Sequence, residues 1–188
     1  MTTNEARRIY LVPYDPAWPE LASRVAGELL AVCGPAGAGA VTGVEHIGST
    51  SIPGCAAKPV IDLMPALVRF SAGLDCVEPL EAAGYRYHGE YGLPRRHYFS
   101  RSAAESTVGL REHVHMYTPG EGQWDDHLAF RDYLRAHDEA RDEYVTLKRV
   151  LAERHPHDGQ AYADDKREFV QSILRLAREE AGDAGAEQ

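Results

Sequence analysis

The sequence predicts an α+β domain, a β-sheet core with flanking helices followed by a C-terminal helical bundle. Three observations predict it. Short extended segments separated by Gly- and Pro-bearing turns fill most of the chain up to Tyr117. Helical periodicity takes over from Trp124 to Ala181. Strands first and helices after is the order of α+β rather than of alternating α/β. A chain of 188 residues fits one domain and can bury a substantial core. Residues 10–117 read as the sheet-bearing core and 122–181 as its helical part.

The elements follow in order. The first ten residues read as a loose tail, and Tyr10–Tyr14 as a short extended segment. Asp15 and Pro16 then open a helix, because Asp caps free N–H groups and Pro tolerates the first turn. Leu21, Val25, Leu29, Leu30 and Cys33 give that helix one buried stripe, and the Gly34–Gly39 stretch ends it. Val41–Ile47 is strand-like, Gly48–Gly54 a turn. Pro59–Leu67 is a second strand, apolar on both faces as a central strand is. A helix is expected over Ala72–Ala83 with Gly84 as its C-cap. Tyr85–His88, His97–Arg101 and Val108–Tyr117 are extended. Trp124–Ala136, Asp138–Arg154 and Gln160–Ala181 are helical, with His137 and His155–Gly159 between them. Gly182–Gln188 reads as a frayed tail.

Composition narrows the function. Hydrophobic residues make up 44% and charged residues 26%, an ordinary globular mixture. The longest apolar stretches are interrupted, as Val60–Val68 is by Asp62 and Pro65, and fall short of a membrane span. The N-terminal residues lack the apolar run of a secretory signal. Three cysteines (Cys33, Cys55, Cys76) with no CxxC pair suggest neither a disulfide framework nor a zinc ribbon. A cytoplasmic protein is the natural reading. A net charge of −9 argues against broad nucleic-acid binding, which needs Lys and Arg to displace counterions. Local basic residues, Arg95, Arg96, His97, Arg101 and Arg111, suit a small anionic ligand better than a polymer.

The most informative stretch runs from His46 to Met64. Gly48 closes a strand and lets backbone approach a ligand. The following N–H groups, with the hydroxyls of Ser49, Thr50 and Ser51, make a cradle for phosphate oxygens. Asp62 is the single charge inside an apolar strand. A buried carboxylate costs several kcal/mol unless it is paired, metal-bound or at an open end. Lys58 is placed to supply a cation to phosphate or to Asp62. The plain alternative is a tight turn capping its own backbone, with Asp62 paired to a local cation.

The string IGSTSIPG, then three residues, then KPVIDL resembles the signature of the GrpB family, whose members fall within the nucleotidyltransferase superfamily. The resemblance continues through Tyr14 and Trp18, Arg95–Phe99, His113–His115, Trp124, Phe130–Arg135, Tyr144 with Lys148, and Tyr162 with Lys166. It spans about Tyr10 to Leu176. It implies a nucleotidyltransferase-like mixed sheet in which a Gly-Ser turn holds nucleotide phosphates and carboxylates on the next strand hold magnesium (Mg2+). Some actinobacterial relatives look fused to dephospho-coenzyme A kinase; no GxxxxGK[ST] string occurs here. One departure matters: the superfamily pattern has a second carboxylate two residues after the first, and here that position is Met64. A single Asp holds one ion weakly.

His113 and His115 stand two apart, so in a strand both project to one face, together with Arg111. With Asp62 on a neighbouring strand they would offer two imidazoles and one carboxylate, a set competent for zinc, manganese or iron. The alternative is a polar cleft of hydrogen-bonded residues. Arg96 and Arg111 are candidates for phosphate, since a guanidinium recognises it through a planar fork. Arg131 and Asp132 equally read as partners tying helix to sheet. Arg135, Lys148 and Lys166 read as solvated or structural, and Trp124, Phe130, Tyr133 and Tyr144 as core. His155–Asp158 looks superficially like a metal cluster, but Asp158 reads better as a helix cap.

The preferred expectation is a nucleotidyltransferase-like enzyme moving a nucleoside monophosphate from a triphosphate to a small acceptor. Asp62, His113 and His115 would be its catalytic and metal-holding groups. Gly48, Ser49, Thr50, Ser51, Lys58, Arg96 and Arg111 would be its phosphate-binding groups. A catalytically inactive nucleotide- or phosphate-binding module, which Met64 favours, and a metal-dependent enzyme using the Asp/His/His set are the alternatives.

Overall fold

The computed structural model describes residues 8–186, with side chains to 182. Helix α1 (Trp18–Cys33) leads into strands β1 (Val41–Ile47) and β2 (Val60–Leu67). Helix α2 (Val77–Ala82) and strands β3 (Arg86–Tyr87), β4 (His97–Arg101) and β5 (Arg111–Met116) follow. Helices α3 (Trp124–Ala136), α4 (Asp138–Arg154), α5 (Gly159–Asp164) and α6 (Arg167–Ala186) complete the chain. The strands form one mixed sheet in the order β1-β2-β5-β4-β3. β2 and β5 run parallel and the other neighbours antiparallel.

Register decides what each face carries, because alternate residues of a strand point to opposite sides. Ile61, Leu63, Phe99, Val114 and Met116 face α1 and α2, and pack against Trp18, Ala22, Val25, Leu29, Cys33 and Leu80. Fully burying one such aliphatic or aromatic side chain is worth about 1.5–3 kcal/mol, so this layer supplies the main core. The opposite face is divided. On one part Ile47, Met64, Ala66 and Tyr117 pack with Trp124. On the other, register sets Asp62 beside His113, His113 beside Ser100, and His115 beside Tyr98.

The C-terminal helices grip the turn that joins β1 to β2. Ile52, Cys55 and Ala56 pack against Leu134, Tyr144, Val145 and Ile173. Arg135 donates from Nε and Nη2 to the Ser51 carbonyl at 3.0 and 2.8 Å. Arg131 reaches Glu45 at 2.7 Å and the His46 carbonyl at 3.1 Å. Arg131 therefore ties α3 to β1, and Arg135 ties it to the turn that follows.

Several boundaries differ from expectation. The helix expected over Ala72–Ala83 is a 3-10 stretch, Phe70–Cys76, followed by α2. Pro79 has no N–H to donate, which confines it to the first turn of an α-helix. The last helix is broken at Asp165–Lys166, where His155 holds the Asp165 carboxylate at 2.8 Å. Asp158 caps α5 by accepting from the Gln160 and Ala161 N–H groups. α6 runs on to Ala186 rather than fraying at Gly182, and so carries Gly182 and Gly185, each costing about 1 kcal/mol against alanine, among the helix-favouring residues Ala181, Ala184 and Ala186. At the other end, residues 1–7 of the expected tail lie outside the described residues. Ile9 is buried against Leu151 and Tyr162 and donates its N–H to the Pro156 carbonyl at 2.7 Å. Among the described residues no helix is long and apolar enough to cross a membrane.

Candidate metal and phosphate site

The parallel pairing of β2 with β5 brings Asp62 level with His113, and the two-residue period then carries His115 to the same face. His113 Nδ1 lies 3.1 Å and His115 Nε2 3.6 Å from Asp62 Oδ1. One donor atom from each residue lies within 4.8 Å of the others. Two ligands of a tetrahedral ion with bonds of about 2.1 Å stand about 3.4 Å apart, so the set fits a single cation. The three side chains keep 25%, 23% and 14% of their surface exposed, enough for an ion and a ligand to enter.

Protonation favours the same use. Burial alone would raise the Asp62 carboxyl, but hydrogen bonds from His113 and His115 outweigh it and hold the group well below the usual carboxylate range. Burial lowers His115 below its ordinary value despite the pull of Asp62. An ionised carboxylate beside a neutral imidazole is the state that coordination requires.

Gly48 sets the floor. Its φ of 70° and ψ of −176° belong to a region open essentially to glycine alone. A Cβ placed there would lie 2.5 Å from Asp62 Oδ2. The turn after it is a 3-10 stretch, Ser49–Ser51. Thr50 and Ser51 do not form the phosphate cradle expected of them, because their hydroxyls are already engaged. The Ser51 hydroxyl donates back to the Gly48 carbonyl at 2.6 Å. The Thr50 hydroxyl donates to the Val60 carbonyl at 3.0 Å and lies 3.0 Å from His46 Nε2. Both residues are buried, so their hydroxyls stabilise the turn and do not face a ligand. Ser49 remains half-buried beside the Tyr144 hydroxyl.

The basic residues also divide. Arg96 is buried, donates to the Glu90 and Tyr91 carbonyls and stacks on Tyr98, 4.8 Å from its centroid. It meets His115 from the Nδ1 side at 3.3 Å, behind the Asp62 cluster. The expected phosphate contact therefore gives way to a loop anchor, because two carbonyls and an aromatic face already occupy the guanidinium. Arg111 is exposed. It lines, with His113, Tyr98, Ser100, His88 and Arg86, a polar cleft of about 900 Å³. Lys58 is half-buried above the Tyr162 ring. Met64, two residues after Asp62, is completely buried within the apolar half of the face.

Residues 8–176 match the family model described as GrpB protein. The chain belongs to the GrpB family. YqkA of Bacillus subtilis is 37% identical over 172 residues, which cover 92% of this chain and 48% of YqkA; the chain thus spans about half of that relative's length. A dephospho-CoA kinase of Mycolicibacterium paratuberculosis is 30% identical, covering 94% of this chain and 48% of the kinase. Some GrpB-like regions are therefore joined to kinase chain. The crystal structure titled conserved protein GrpB from Enterococcus faecalis superposes with a TM-score of 0.79 at 33% identity, covering 92% of this chain and 99% of that one.

Sequence reasoning about this GrpB chain missed neighbours that only the fold assembles. Tyr98 packs between His113 and His115, at ring-centroid distances of 5.8 and 5.1 Å. His127 of α3 stands 5.8 Å from His115, and burial pushes it down to about 3. Its Nε2 is buried without a hydrogen-bond partner among the described residues. Tyr98 had a signal, since it alternates with Ser100 as His113 does with His115. His127 had none, because its helix reaches the sheet only through packing.

Proposed function

We propose that the Asp62, His113 and His115 cluster holds a divalent metal and that the chain acts there on a phosphate-bearing small molecule, with transfer of a nucleoside monophosphate from a triphosphate to a small acceptor as the reaction. The observation that carries the reading is the convergence of one carboxylate and two imidazoles beside the Gly48–Ser49 turn. Two nitrogen donors and one oxygen suit zinc or manganese better than magnesium, which prefers an all-oxygen shell. Such a metal polarises a phosphoryl oxygen and neutralises its charge. Around it Ser49 orients the phosphate, and Lys58 and Arg111 place positive charge where negative charge develops. The acceptor would lie in the cleft of Arg86, His88, Ser100 and Arg111. Three free, buried cysteines accord with a reducing, cytoplasmic setting.

A second reading has its own observation. Met64 does not merely lack a charge; it is completely buried against Ile47, Ala66, Tyr117 and Trp124, which leaves no room for a second ion at that position of the strand. A module that binds metal and nucleotide without turnover follows from that. Asp62→Asn separates both readings from a purely structural cluster. The variant is expected to unfold within a few degrees of wild type and to bind zinc or manganese about 100-fold more weakly, by calorimetry. Unchanged metal affinity would refute the assignment. Pyrophosphate release from a nucleoside triphosphate in an acceptor screen then distinguishes the enzyme from the module.

A further inference from the structure

The chain has 20 Lys and Arg residues, of which only Lys58, Lys148 and Lys166 are lysines. All three meet in one place, although they come from the loop before β2, from α4 and from the turn between α5 and α6. Lys58 Nζ lies 5.3 Å and Lys166 Nζ 4.4 Å from the centroid of the Tyr162 ring. Lys148 Nζ lies 4.4 Å from that of Tyr144. A chain that answers nearly every other need for positive charge with arginine has concentrated its compact, strongly hydrated ammonium groups here.

The three do not share a role. Lys148 is 2% exposed and satisfied, donating to the Ala56 carbonyl at 2.5 Å and to Cys55 Sγ at 3.2 Å. It pins the segment after the Gly48–Ser51 turn. Lys58 and Lys166 are half-buried and have no carboxylate or carbonyl partner among the described residues. Burial lowers the proton affinity of both; Lys58 lowers that of Lys166 further and Arg111 that of Lys58, while Asp62 opposes the shift in each. Two like charges held part-buried on one ring, with no acid between them, are unfavourable until an anion bridges them.

We propose that Lys58 and Lys166, seated on Tyr162, form the binding site for the phosphate chain of the substrate, on the α5–α6 side of Asp62. This rests on the reading above that the substrate carries phosphate, and it names the class: a linked di- or triphosphate rather than a single phosphate. The chain's distal phosphates lie between the two ammonium groups, and the phosphate nearest Asp62 lies against the Gly48–Ser49 turn. The C-terminal helices thereby complete a site that the sheet begins.

The test uses the full chain in chelator, so that it is independent of metal. Inorganic tripolyphosphate, orthophosphate and ATP are titrated calorimetrically against wild type, Lys58→Gln, Lys166→Gln and the double variant. Wild type is expected to bind tripolyphosphate at least tenfold more tightly than orthophosphate, each single variant to lose about tenfold, and the double variant to lose binding. ATP binding more tightly than tripolyphosphate assigns a nucleotide, and equal affinity assigns the phosphate chain alone; both support the pair. Undiminished tripolyphosphate affinity in the double variant, or no binding of any of the three anions to wild type, overturns the proposal. Acetic anhydride labelling of wild type gives a second readout that does not depend on a variant's folding. Tripolyphosphate should protect Lys58 and Lys166; unchanged labelling of both contradicts the pair. Lysine-dependent anion binding in a protein that holds no metal would leave this inference standing and defeat only the metal reading.

Discussion

Gly48 and Asp62 touch across the β1–β2 turn so closely that a methyl group on Gly48 would lie 2.5 Å from the Asp62 carboxylate. The glycine does two things at once. It accepts a backbone conformation forbidden to other residues, and it leaves the carboxylate free to face His113 and His115. Gly48→Ala should therefore cost about 1–3 kcal/mol in urea unfolding. It should also weaken metal binding about tenfold or more, as displaced supporting groups do. A variant with wild-type stability and metal affinity would show that the contact is incidental.

Met64 invites an obvious repair, because an acid two residues after Asp62 would complete the two-carboxylate pattern that the sequence resemblance implies. The prediction is that Met64→Asp fails. Met64 has no exposed surface and its neighbours are Ile47, Ala66, Tyr117 and Trp124. A carboxylate there stays unpaired and costs several kcal/mol. Thermal unfolding should show a loss of ten degrees or more, since about 1 kcal/mol moves the midpoint by about 2–4 °C in a chain of this size. A stable variant with a second bound ion would reverse this view.

The opposite face of the sheet carries a different charge cluster. Arg101 meets Glu112 at 2.8 Å and Glu28 at 2.9 Å, and Tyr85 and Ser106 also donate to Glu112, which is fully buried. Removing one partner of a buried pair costs about 3–5 kcal/mol, because the other charge is left alone. Glu112→Ala should lose that much in denaturant unfolding, and the double variant with Arg101→Ala should lose less than the two singles together. Additive losses would mean that the pair is not coupled.

Lys166 gives a pH dependence with a definite sign. Burial first, then Lys58 and Lys148, bring its ammonium down to about 8, against the opposing pull of Asp62. It is therefore cationic below about pH 8 and neutral above. Tripolyphosphate affinity should fall between pH 7 and 9 and hold between pH 6 and 7. In the unliganded protein the unfolded lysine binds a proton more readily between about 8 and its ordinary 10.5, so this group makes the fold more stable as pH rises through that window. Anion affinity flat from pH 7 to 9 would remove Lys166 from the site.

Much of the fold was legible because its signals are local. The stripe of α1, the apolar run of β2 around Asp62 and the two-residue spacing of His113 and His115 all follow from periodicity. The site was legible to the extent that it lies on strands: once β2 and β5 pair, Asp62 and His113 must meet. What could not be read was where hydroxyls and guanidiniums would spend their hydrogen bonds. Thr50, Ser51 and Arg96 are the right types for phosphate, yet local carbonyls claim them first. The converse holds for Lys166 and Tyr162, which look like ordinary helix residues until the turn between α5 and α6 brings them beside Lys58.

If Asp62, His113 and His115 hold one metal ion, it must sit between their donor atoms. Anomalous diffraction from crystals grown with manganese or zinc tests it most directly. A single strong peak is expected about 2.1 Å from His113 Nδ1, His115 Nε2 and an Asp62 oxygen, absent in Asp62→Asn crystals. Saturating metal with no peak between these three residues, their side chains still hydrogen-bonded to one another, would contradict it.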